Sequence, residues 1–282
     1  MFRAGLLISN GQAMVSGMPK PVFACRLPIE FDAKRLAQDL LAVPDDSWVA
    51  HFNKGFHDGG WSGVALRATA GEARQLYPGH GDQTELQDTP LLAHCPQIAV
   101  ALTRLACSIG SVRLLRLAAG GSIREHRDAD LCLEQSLARL HVPITTGDKV
   151  EFYLEEQLIT MGPGECWYLN FDLPHRVQNL GSTDRVHLVI DCEVNEWLRD
   201  QIIRATPLVA TERETSQWRF EQFREAVIND VVLIEHLWPI DQPAAFIDRV
   251  VALGQERGLR FTPEDVATVM RQGGRAGLRY VQ

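Results

Sequence analysis

The stretch from Ser111 to Asp191 constrains the fold most, because short apolar runs alternate there with turn residues. Links such as Gly162-Pro163-Gly164 and Asn179-Leu180-Gly181-Ser182 separate the runs and are typical of tight turns between strands. The pattern predicts seven short strands and one bent strand: Val112–Leu117, Ser122–His126, Ala138–Ile144, Val150–Leu154, Gln157–Met161, Cys166–Asn170, Arg185–Asp191 and the bent His175–Asn179. This spacing favours a mainly β fold, best met by a double-stranded β-helix, the cupin-like jelly roll.

Regular elements are also predicted before this stretch. Residues Asp32–Val43 have helical periodicity, with Asp32 as the N-cap, and Pro96–Ser108 forms a second predicted helix. Two further strands are expected at Trp48–Asn53 and Trp61–Ala68. The polar, Gly- and Pro-containing residues from Gly71 to Pro90 predict a loop.

The periodicity changes after Asp191 and divides the chain into three predicted parts. Asn195–Ala205 and most of the sequence beyond Trp218 have the period of helices. We therefore expect a flexible segment at 1–25, a β-helix domain with flanking helices at 26–206, and a small α-helical domain at 210–282.

Composition favours a soluble, cytoplasmic protein. The 282 residues carry a net charge of −8, which disfavours a general nucleic-acid-binding or anionic membrane surface. The apolar run Ala4–Ile8 is too short for the core of a signal peptide, and no run approaches membrane-spanning length. None of the six cysteines forms a C-x-x-C pair, so we expect reduced thiols.

A metal site is predicted from His126, Asp128 and His175. Side chains at i and i+2 of a strand share a face, so His126 and Asp128 can chelate one ion. A more distant histidine completes two imidazoles and one carboxylate, the facial arrangement suited to non-haem Fe(II). A surface ion-paired turn and a buried core histidine are the structural alternatives. A second H-x-D, His80-Gly81-Asp82, has no flanking strand pattern and is interpreted as a surface loop.

An anion site is predicted from basic residues at two strand starts. Arg139 and His141 share a face of one strand, and Arg185 and His187 share a face of another. A planar guanidinium binds a carboxylate through two hydrogen bonds, and a buried cation needs such a partner. A dicarboxylate cosubstrate would supply it. The alternative is a buried arginine–aspartate pair, for instance with Asp191 or Asp172, and His187 is expected in the core or behind the site.

At these residues the sequence resembles the aspartyl/asparaginyl β-hydroxylase family, which includes bacterial proline-hydroxylase-like members. The resemblance covers roughly residues 30–200. Its matching pieces are His51–Asn53, Gly60–Gly63, Arg113–Leu117, Ile123–Asp128, Arg139–Ile144, Gly164–Asn170, Pro174–Asn179 and Arg185–Asp191. It implies an Fe(II)- and 2-oxoglutarate-dependent oxygenase on a double-stranded β-helix, with iron at His126, Asp128 and His175. It also implies 2-oxoglutarate at Arg185, with Arg139 and His141 nearby.

Such an enzyme would use O2 and 2-oxoglutarate to hydroxylate an unactivated C–H bond, releasing succinate and CO2. Its substrate would be a free amino acid or an Asp, Asn or other residue of a peptide. Candidate substrate contacts, each with a core or surface alternative, are Arg116, Trp48, His51, Asn53 and Trp61. Glu134 and Gln135 are further candidates. The alternative functions are a cupin-like, non-redox metal-dependent binding protein or isomerase, and a peptide-docking module.

The tail from Phe220 to Met270 resembles a small helical, leader-peptide-like domain first named from nitrogen-fixing bacteria. The shared pieces are Phe223-x-x-Ala226-Val227-x-x-Asp230, Phe246–Leu253 and Gly258–Val266. The resemblance implies a docking segment and a possible peptide partner. The alternative is a helical cap that packs on the β domain.

Overall fold

The computed structural model of the chain describes residues 22–57, 59–77, 86–205, 208–209 and 212–273. The strands are β1 Val22–Glu30, β2 Val49–Ala50, β3 Trp61–Thr69, β4 Leu86–Asp88, β5 Ile109–Leu117, β6 Ser122–His126, β7 Leu137–Thr145, β8 Val150–Leu154, β9 Gln157–Leu158, β10 Glu165–Leu169, β11 His175–Asn179, β12 Arg185–Glu193 and β13 Leu208–Val209. The α-helices are α1 Ala33–Ala42, α2 Pro96–Leu102, α3 Glu196–Arg204, α4 Glu212–Asn229, α5 Val231–Leu237, α6 Pro243–Glu256 and α7 Pro263–Gly273.

The chain separates into two compact units, one of them ending at Leu208 and the other continuing from Val209. The first holds the sheets and α1 to α3, and the second holds α4 to α7. Of the segment 1–25, only residues 22–25 are described, and they are buried residues of β1. His80-Gly81-Asp82 lies outside the described residues. Within the described helices, none has the length and apolar character needed to cross a bilayer.

Two antiparallel sheets form the first unit. The larger sheet contains nine strands, among them β1-β10-β7-β12-β5-β3-β2 in that order and β4 paired with β3, and the smaller has the order β6-β11-β8-β9. Strands adjacent in the larger sheet are distant in sequence, because β12 pairs with β5 on one side and with β7 on the other. This non-sequential order in two sheets confirms the predicted jelly roll.

Strand β12 explains where the core and the polar cavity lie. Eight of its nine residues are buried, which is typical of a central strand. One face carries Val186, Leu188 and Ile190 into an apolar core shared with the helices. The other face carries Arg185, His187 and Asp191, which are also buried. The period of two therefore separates an apolar layer from a charged layer.

Several predicted elements match closely, and others differ for local reasons. Strands Ser122–His126, Val150–Leu154 and His175–Asn179 coincide with β6, β8 and β11. The second helix, however, ends at Leu102 instead of Ser108. A tighter turn follows the helix, in which the amide of Leu105 donates to the carbonyl of Leu102 at 3.1 Å. Strand β5 then begins at Ile109.

Two predictions upstream of β5 are corrected by the sheet. Within the predicted loop Gly71–Pro90, residues Leu86–Asp88 form β4 and pair with the end of β3. The predicted strand Trp48–Asn53 is reduced to Val49–Ala50, and a 3-10 turn at Lys54–Phe56 follows soon after. In both segments the extent of the strand depends on its backbone pairing with β3, a partner that is remote in sequence.

The second unit has its own core of buried aromatic and aliphatic residues. The rings of Phe220 and Phe261 lie 5.0 Å apart, and Phe223 lies 5.4 Å from Phe261. Helix α6 ends in a Schellman motif, in which Gly258 has φ +78° and the amide of Leu259 donates to the carbonyl of Gly254 at 2.9 Å. The helical character predicted from the sequence is thus observed.

Candidate metal centre

Three side chains converge at one end of the smaller sheet. His126 and His175 are directly opposite each other on β6 and β11, and Asp128 follows two residues after His126. One ligand atom from each of the three lies within 4.8 Å of the others. The amide of Asp128 donates to the carbonyl of Phe171 at 2.9 Å, which fixes the backbone where β6 ends. The donor set, two imidazoles and one carboxylate, fits a divalent transition metal with open positions.

Backbone hydrogen bonds orient both imidazoles. Nδ1 of His126 lies 2.8 Å from the carbonyl of Arg124, and Nδ1 of His175 lies 3.0 Å from the carbonyl of Leu173. Only a protonated Nδ1 can donate to a carbonyl, so in the neutral form of either ring the free lone pair is on Nε2. Burial, reinforced by His126, lowers the pKa of His175 to about 4. The ring is therefore neutral at pH 7 and able to bind a cation.

A buried chain of charges supports the carboxylate. Burial raises the pKa of Asp128, but Arg139 and the nearby histidines outweigh it and hold the pKa below its usual value. Nη1 of Arg139 donates to Oδ2 of Asp128, while Oδ1 lies 3.9 Å from Nε2 of His126. Nε of Arg139 also donates to Asp191 at 2.6 Å, and Nη2 of Arg113 donates to Asp191 at 2.5 Å. Asp128 thus keeps one oxygen directed to the histidines.

Arg185 is buried in a different way from Arg139. It is only 3% exposed, and no carboxylate within the described residues pairs with it. Its Nη2 donates instead to Nδ1 of His187 at 2.9 Å, and its Nε has no partner in the described part of the chain. Burial lowers the pKa of Arg185 to about 9, which leaves it charged at pH 7. An uncompensated buried cation is costly unless an anion meets it.

His141 lies beside this cation. Its Nδ1 is 3.3 Å from Nδ1 of His187, and its ring stacks on Phe171. Its Nε2 is buried and has no partner among the described residues. Burial, and next Arg185, lower the pKa of His141 well below its usual value, so the ring is a neutral hydrogen-bonding group.

Histidines, an aspartate and arginines of the three preceding clusters line one cavity of about 500 Å³. Its wall includes the metal triad together with Arg139, His141 and Arg185. Among the candidate substrate contacts, His51, Asn53 and Trp61 also line it. The sequence pattern therefore predicted six residues of the cavity wall as metal or anion ligands. Three more residues of the wall were predicted as substrate contacts.

Two candidate substrate residues are not brought to this cavity. The guanidinium of Arg116 lies 4.3 Å from the ring centre of Trp48, and its Nε donates to Ser62 at 3.1 Å. Neither Arg116 nor Trp48 is part of the cavity wall. They form a cation–π pair on the other face of β5.

The same strand supplies a cavity residue that sequence reasoning missed. Arg113 lines the cavity and is 2% exposed. It lies three residues before Arg116, and an odd spacing in a strand places two side chains on opposite faces. The period of two does place Arg113 and Leu115 on one face of β5. The sequence does not indicate, however, which face of β5 is directed into the cavity.

Comparison with known proteins supports this picture. A family model described as aspartyl/asparaginyl β-hydroxylase matches residues 30–194, more than half of the chain. An L-proline cis-4-hydroxylase of Rhizobium meliloti (strain 1021) is 30% identical over 175 residues, covering 60% of each protein. The chain therefore spans about 60% of the length of this curated relative.

Solved structures resemble the chain more remotely. A 2OG-Fe(II) oxygenase family oxidoreductase from Burkholderia pseudomallei is 16% identical, covers 58% of this chain and 78% of its own, and has a TM-score of 0.39. A non-haem monooxygenase, ThoJ in complex with nickel, is 13% identical, covers 69% and 83%, and has a TM-score of 0.37. Likeness at this level carries no functional argument. On the family match over residues 30–194, the chain belongs to the aspartyl/asparaginyl β-hydroxylase family.

Proposed function

We propose that this protein is an Fe(II)- and 2-oxoglutarate-dependent hydroxylase. The observation that carries the proposal is Arg185, a buried cation without a carboxylate partner among the described residues, in the same cavity as the metal triad. A metal site alone would serve a cupin-like binding protein or isomerase equally well. A buried receptor for a second carboxylate favours a 2-oxo diacid as cosubstrate.

Each residue of the site has a distinct part in this proposal. His126, Asp128 and His175 would hold the iron. Arg185 would bind the distal carboxylate of 2-oxoglutarate, with the unpartnered Nε2 of His141 as a neutral neighbour. The guanidinium of Arg139 already donates hydrogen bonds to Asp191 and Asp128. We therefore assign Arg139 to positioning the carboxylate of Asp128 rather than to binding the cosubstrate.

With O2, ferrous iron and 2-oxoglutarate supply an oxidant able to hydroxylate an unactivated C–H bond, with release of succinate and CO2. The chain contributes a shielded pocket and fixed ligand orientation. The ring centres of Phe56, Phe152 and Phe171 lie 4.6–6.3 Å from those of His126 or His175 and would limit the access of water to the metal.

We further propose a small-molecule substrate, a free amino or imino acid. The relative from Rhizobium meliloti is an L-proline hydroxylase. The cavity of about 500 Å³ is large enough for a metal, 2-oxoglutarate and a compound of that size. The peptide partner predicted from the helical tail stays a prediction.

An anaerobic titration tests the function. Metal-free protein is given Fe(II) and then 2-oxoglutarate, and the visible charge-transfer absorption of a chelated 2-oxo acid is recorded. We expect a band in the wild type and none in His126→Ala. His94→Ala, which removes an exposed histidine, is the matched control and should keep the band.

The outcomes separate the two candidate functions. Metal binding without a band in the wild-type protein would overturn the oxygenase and favour a cupin-like binding protein. A band whose 2-oxoglutarate affinity is unchanged in Arg185→Gln would overturn the role of Arg185. In that variant the expected loss is roughly ten- to a hundred-fold, the size of one or two charge-assisted hydrogen bonds.

A further inference from the structure

Two thiols lie side by side where β12 ends and β5 begins. Cys192 is opposite Ile109 in the antiparallel register of these strands. Side chains two residues apart share a face of a strand, so Cys107, two residues before Ile109, lies diagonally across from Cys192. Both cysteines pack in the apolar core of the first unit. Their thiols are hydrogen-bonded to each other.

Hydrogen bonds on both sides of Cys107 hold its segment against the end of β12. The amide of Glu193 donates to the carbonyl of Ser108 at 3.0 Å. Nδ2 of Asn195 donates to the carbonyl of Ala106 at 2.8 Å. Cys107 is at a bend between these two contacts, before the first residue of β5. The contacts therefore fix the separation between Cys107 and the end of β12.

The two thiols differ in their access to solvent. All six cysteines lie in the described part of the chain, and Cys107 is the only one that is not buried. Cys192, by contrast, is 2% exposed. A dissolved reagent therefore meets Cys107 first.

The hydrogen bond also makes the two thiols chemically unequal. Donation from Cys192 lowers the pKa of Cys107 and outweighs burial, which raises it. The same hydrogen bond, and next burial, raise the pKa of Cys192 well above its usual range. Burial also raises the pKa values of Cys25 and Cys166 to about 12. Because the thiolate is the nucleophile, Cys107 is the reactive thiol of this core.

A metal site does not account for the pair. Among the described residues, His126, Asp128 and His175 form the only group of three His, Cys, Asp or Glu ligand atoms close enough to share an ion. A structural zinc takes four ligands, and this pair of sulfurs has no third. An accessible thiol with a lowered pKa beside a second thiol is instead typical of a redox-active cysteine and its resolving partner.

We propose that Cys107 and Cys192 form an oxidation site, at which a hydroperoxide converts the two thiols into a disulfide. The thiolate of Cys107 attacks one peroxide oxygen and the O–O bond breaks. The other oxygen takes up the proton lost by Cys107 and leaves as water or an alcohol, and Cys107 becomes a sulfenic acid. The sulfur of Cys192 then attacks the sulfenic sulfur, the S–S bond forms, and the hydroxyl group leaves with the proton of Cys192 as water. The two thiols lose two electrons and one peroxide gains two.

The disulfide would lie beside the charges that support the proposed metal carboxylate. Cys192 follows Asp191, whose carboxylate on the opposite face of β12 accepts from Arg113 and Arg139. Neither cysteine is part of the cavity wall. The oxidation site is thus separate from the metal centre, and the inference does not depend on the proposed function.

Hydrogen peroxide tests the site on the reduced, full-length protein. A metal chelator is present, so that iron does not react with the peroxide. Free thiols are alkylated after unfolding, and tryptic peptides are identified by mass spectrometry. In the wild type we expect peptide 105–113 joined to peptide 186–199, each of which contains a single cysteine. Dithiothreitol should separate them again.

Cysteine variants distinguish the two roles. Cys192→Ser keeps a hydrogen-bond donor but removes the resolving sulfur, so Cys107 should accumulate as the sulfenic acid, which dimedone labels. Cys107→Ser should leave Cys192 reduced. Cys95→Ala removes another buried cysteine and is the matched control, which should form the same disulfide as the wild type.

The reactivity of Cys107 is measured before any oxidation. Alkylation of the folded protein by iodoacetamide at pH 7 should be roughly tenfold faster or more at Cys107 than at Cys166. Cys192→Ala removes the hydrogen-bond donor and should move the midpoint of the pH profile of Cys107 alkylation upward. Cys192→Ser should keep the midpoint closer to that of the wild type.

Three results would overturn the oxidation site. They are a wild-type protein in which both cysteines are still free at a peroxide dose that oxidises its methionines, a disulfide from Cys107 to a different cysteine, and oxidation of Cys107 to a sulfinic acid while Cys192 stays reduced. The peptide map of the wild type decides among these outcomes even where a variant fails to fold.

Discussion

At the scale of single residues, the two arginines at the centre of the site differ in how they are neutralised. Arg139 is held by two carboxylates, Asp128 and Asp191, and these raise its pKa despite its burial. Arg185 is held by a neutral imidazole, that of His187. A neutral acceptor fixes the direction of the guanidinium but leaves its charge available to a ligand. A carboxylate in the same place would compete with that ligand.

Substitutions of His187 test this distinction. His187→Leu removes the acceptor 2.9 Å from Nη2 of Arg185 and should weaken 2-oxoglutarate binding roughly tenfold. His187→Asn offers a carbonyl oxygen in a similar place and should bind more tightly than the leucine variant. His187→Asp, almost the same shape as asparagine, should bind more weakly because it neutralises Arg185. Anaerobic titration measures all three, and equal affinity of the Asn and Asp variants would contradict the argument.

Residue patterns in the sequence were enough to predict that His126, Asp128 and Arg185 line one cavity, because a period of two places His126 with Asp128 and Arg185 with His187. They were not enough for Arg113. Its strand reads Val-Arg-Leu-Leu-Arg-Leu from Val112, with apolar residues on both faces. A central strand buried on both sides gives no alternation from which to choose between Arg113 and Arg116.

At the scale of elements, helix α2 depends on a residue from another helix. Pro96 starts α2, and no side chain of its own N-cap residue accepts a hydrogen bond. Oδ2 of Asp39, a buried residue of α1, accepts the amide of Ile98 at 2.7 Å. The carboxylate also lies at the positive end of the α2 dipole. Asp39 thus joins the two helices that pack with the large sheet.

Loss of this cap should be measurable. Asp39→Ala should lower the free energy of unfolding by about 1–3 kcal/mol, because the buried amide of Ile98 loses its acceptor. Asp39→Asn keeps an acceptor oxygen and should lose less. Urea unfolding followed by circular dichroism gives both values. Equal losses in the two variants would show that charge, and not the hydrogen bond, is responsible.

The elements that sequence reasoning placed incorrectly are those fixed by distant partners. Asp32 and Asn195 were recognisable starts of α1 and α3, since the side chain of Asp32 accepts from two amides of the following turn and that of Asn195 from one. By contrast, β4 is a strand only because β3 lies beside it, and Asp39 caps a helix 59 residues away. Local propensity contains no information about such partners.

At the scale of the whole molecule, the site concentrates neutral histidines in the interior. Burial lowers the pKa values of His51, His141, His175 and His187. Below the ordinary pKa of 6.5 the unfolded chain binds protons at these positions and the folded protein does not. The folded state is therefore favoured above pH 6.5 and loses stability as the pH falls toward 4.

The His187→Asn variant isolates one contribution to this dependence. Each buried histidine that stays neutral costs about 1.4 kcal/mol of stability per pH unit below 6.5. Relative to the wild type, His187→Asn should therefore become progressively more stable between pH 6.5 and 5. Urea unfolding of both proteins at pH 7.5, 6 and 5 measures the difference. A constant difference across this range would contradict the expected neutral state of His187.

The division into two sheets has a consequence for cosubstrate length. The proposed metal ligands project from the end of the smaller sheet, whereas Arg185 belongs to the larger sheet. A diacid held at both places would have to span the distance between the two sheets. The spacing of the sheets would therefore limit the length of the diacid, and any change in the packing between the sheets would change the preferred chain length.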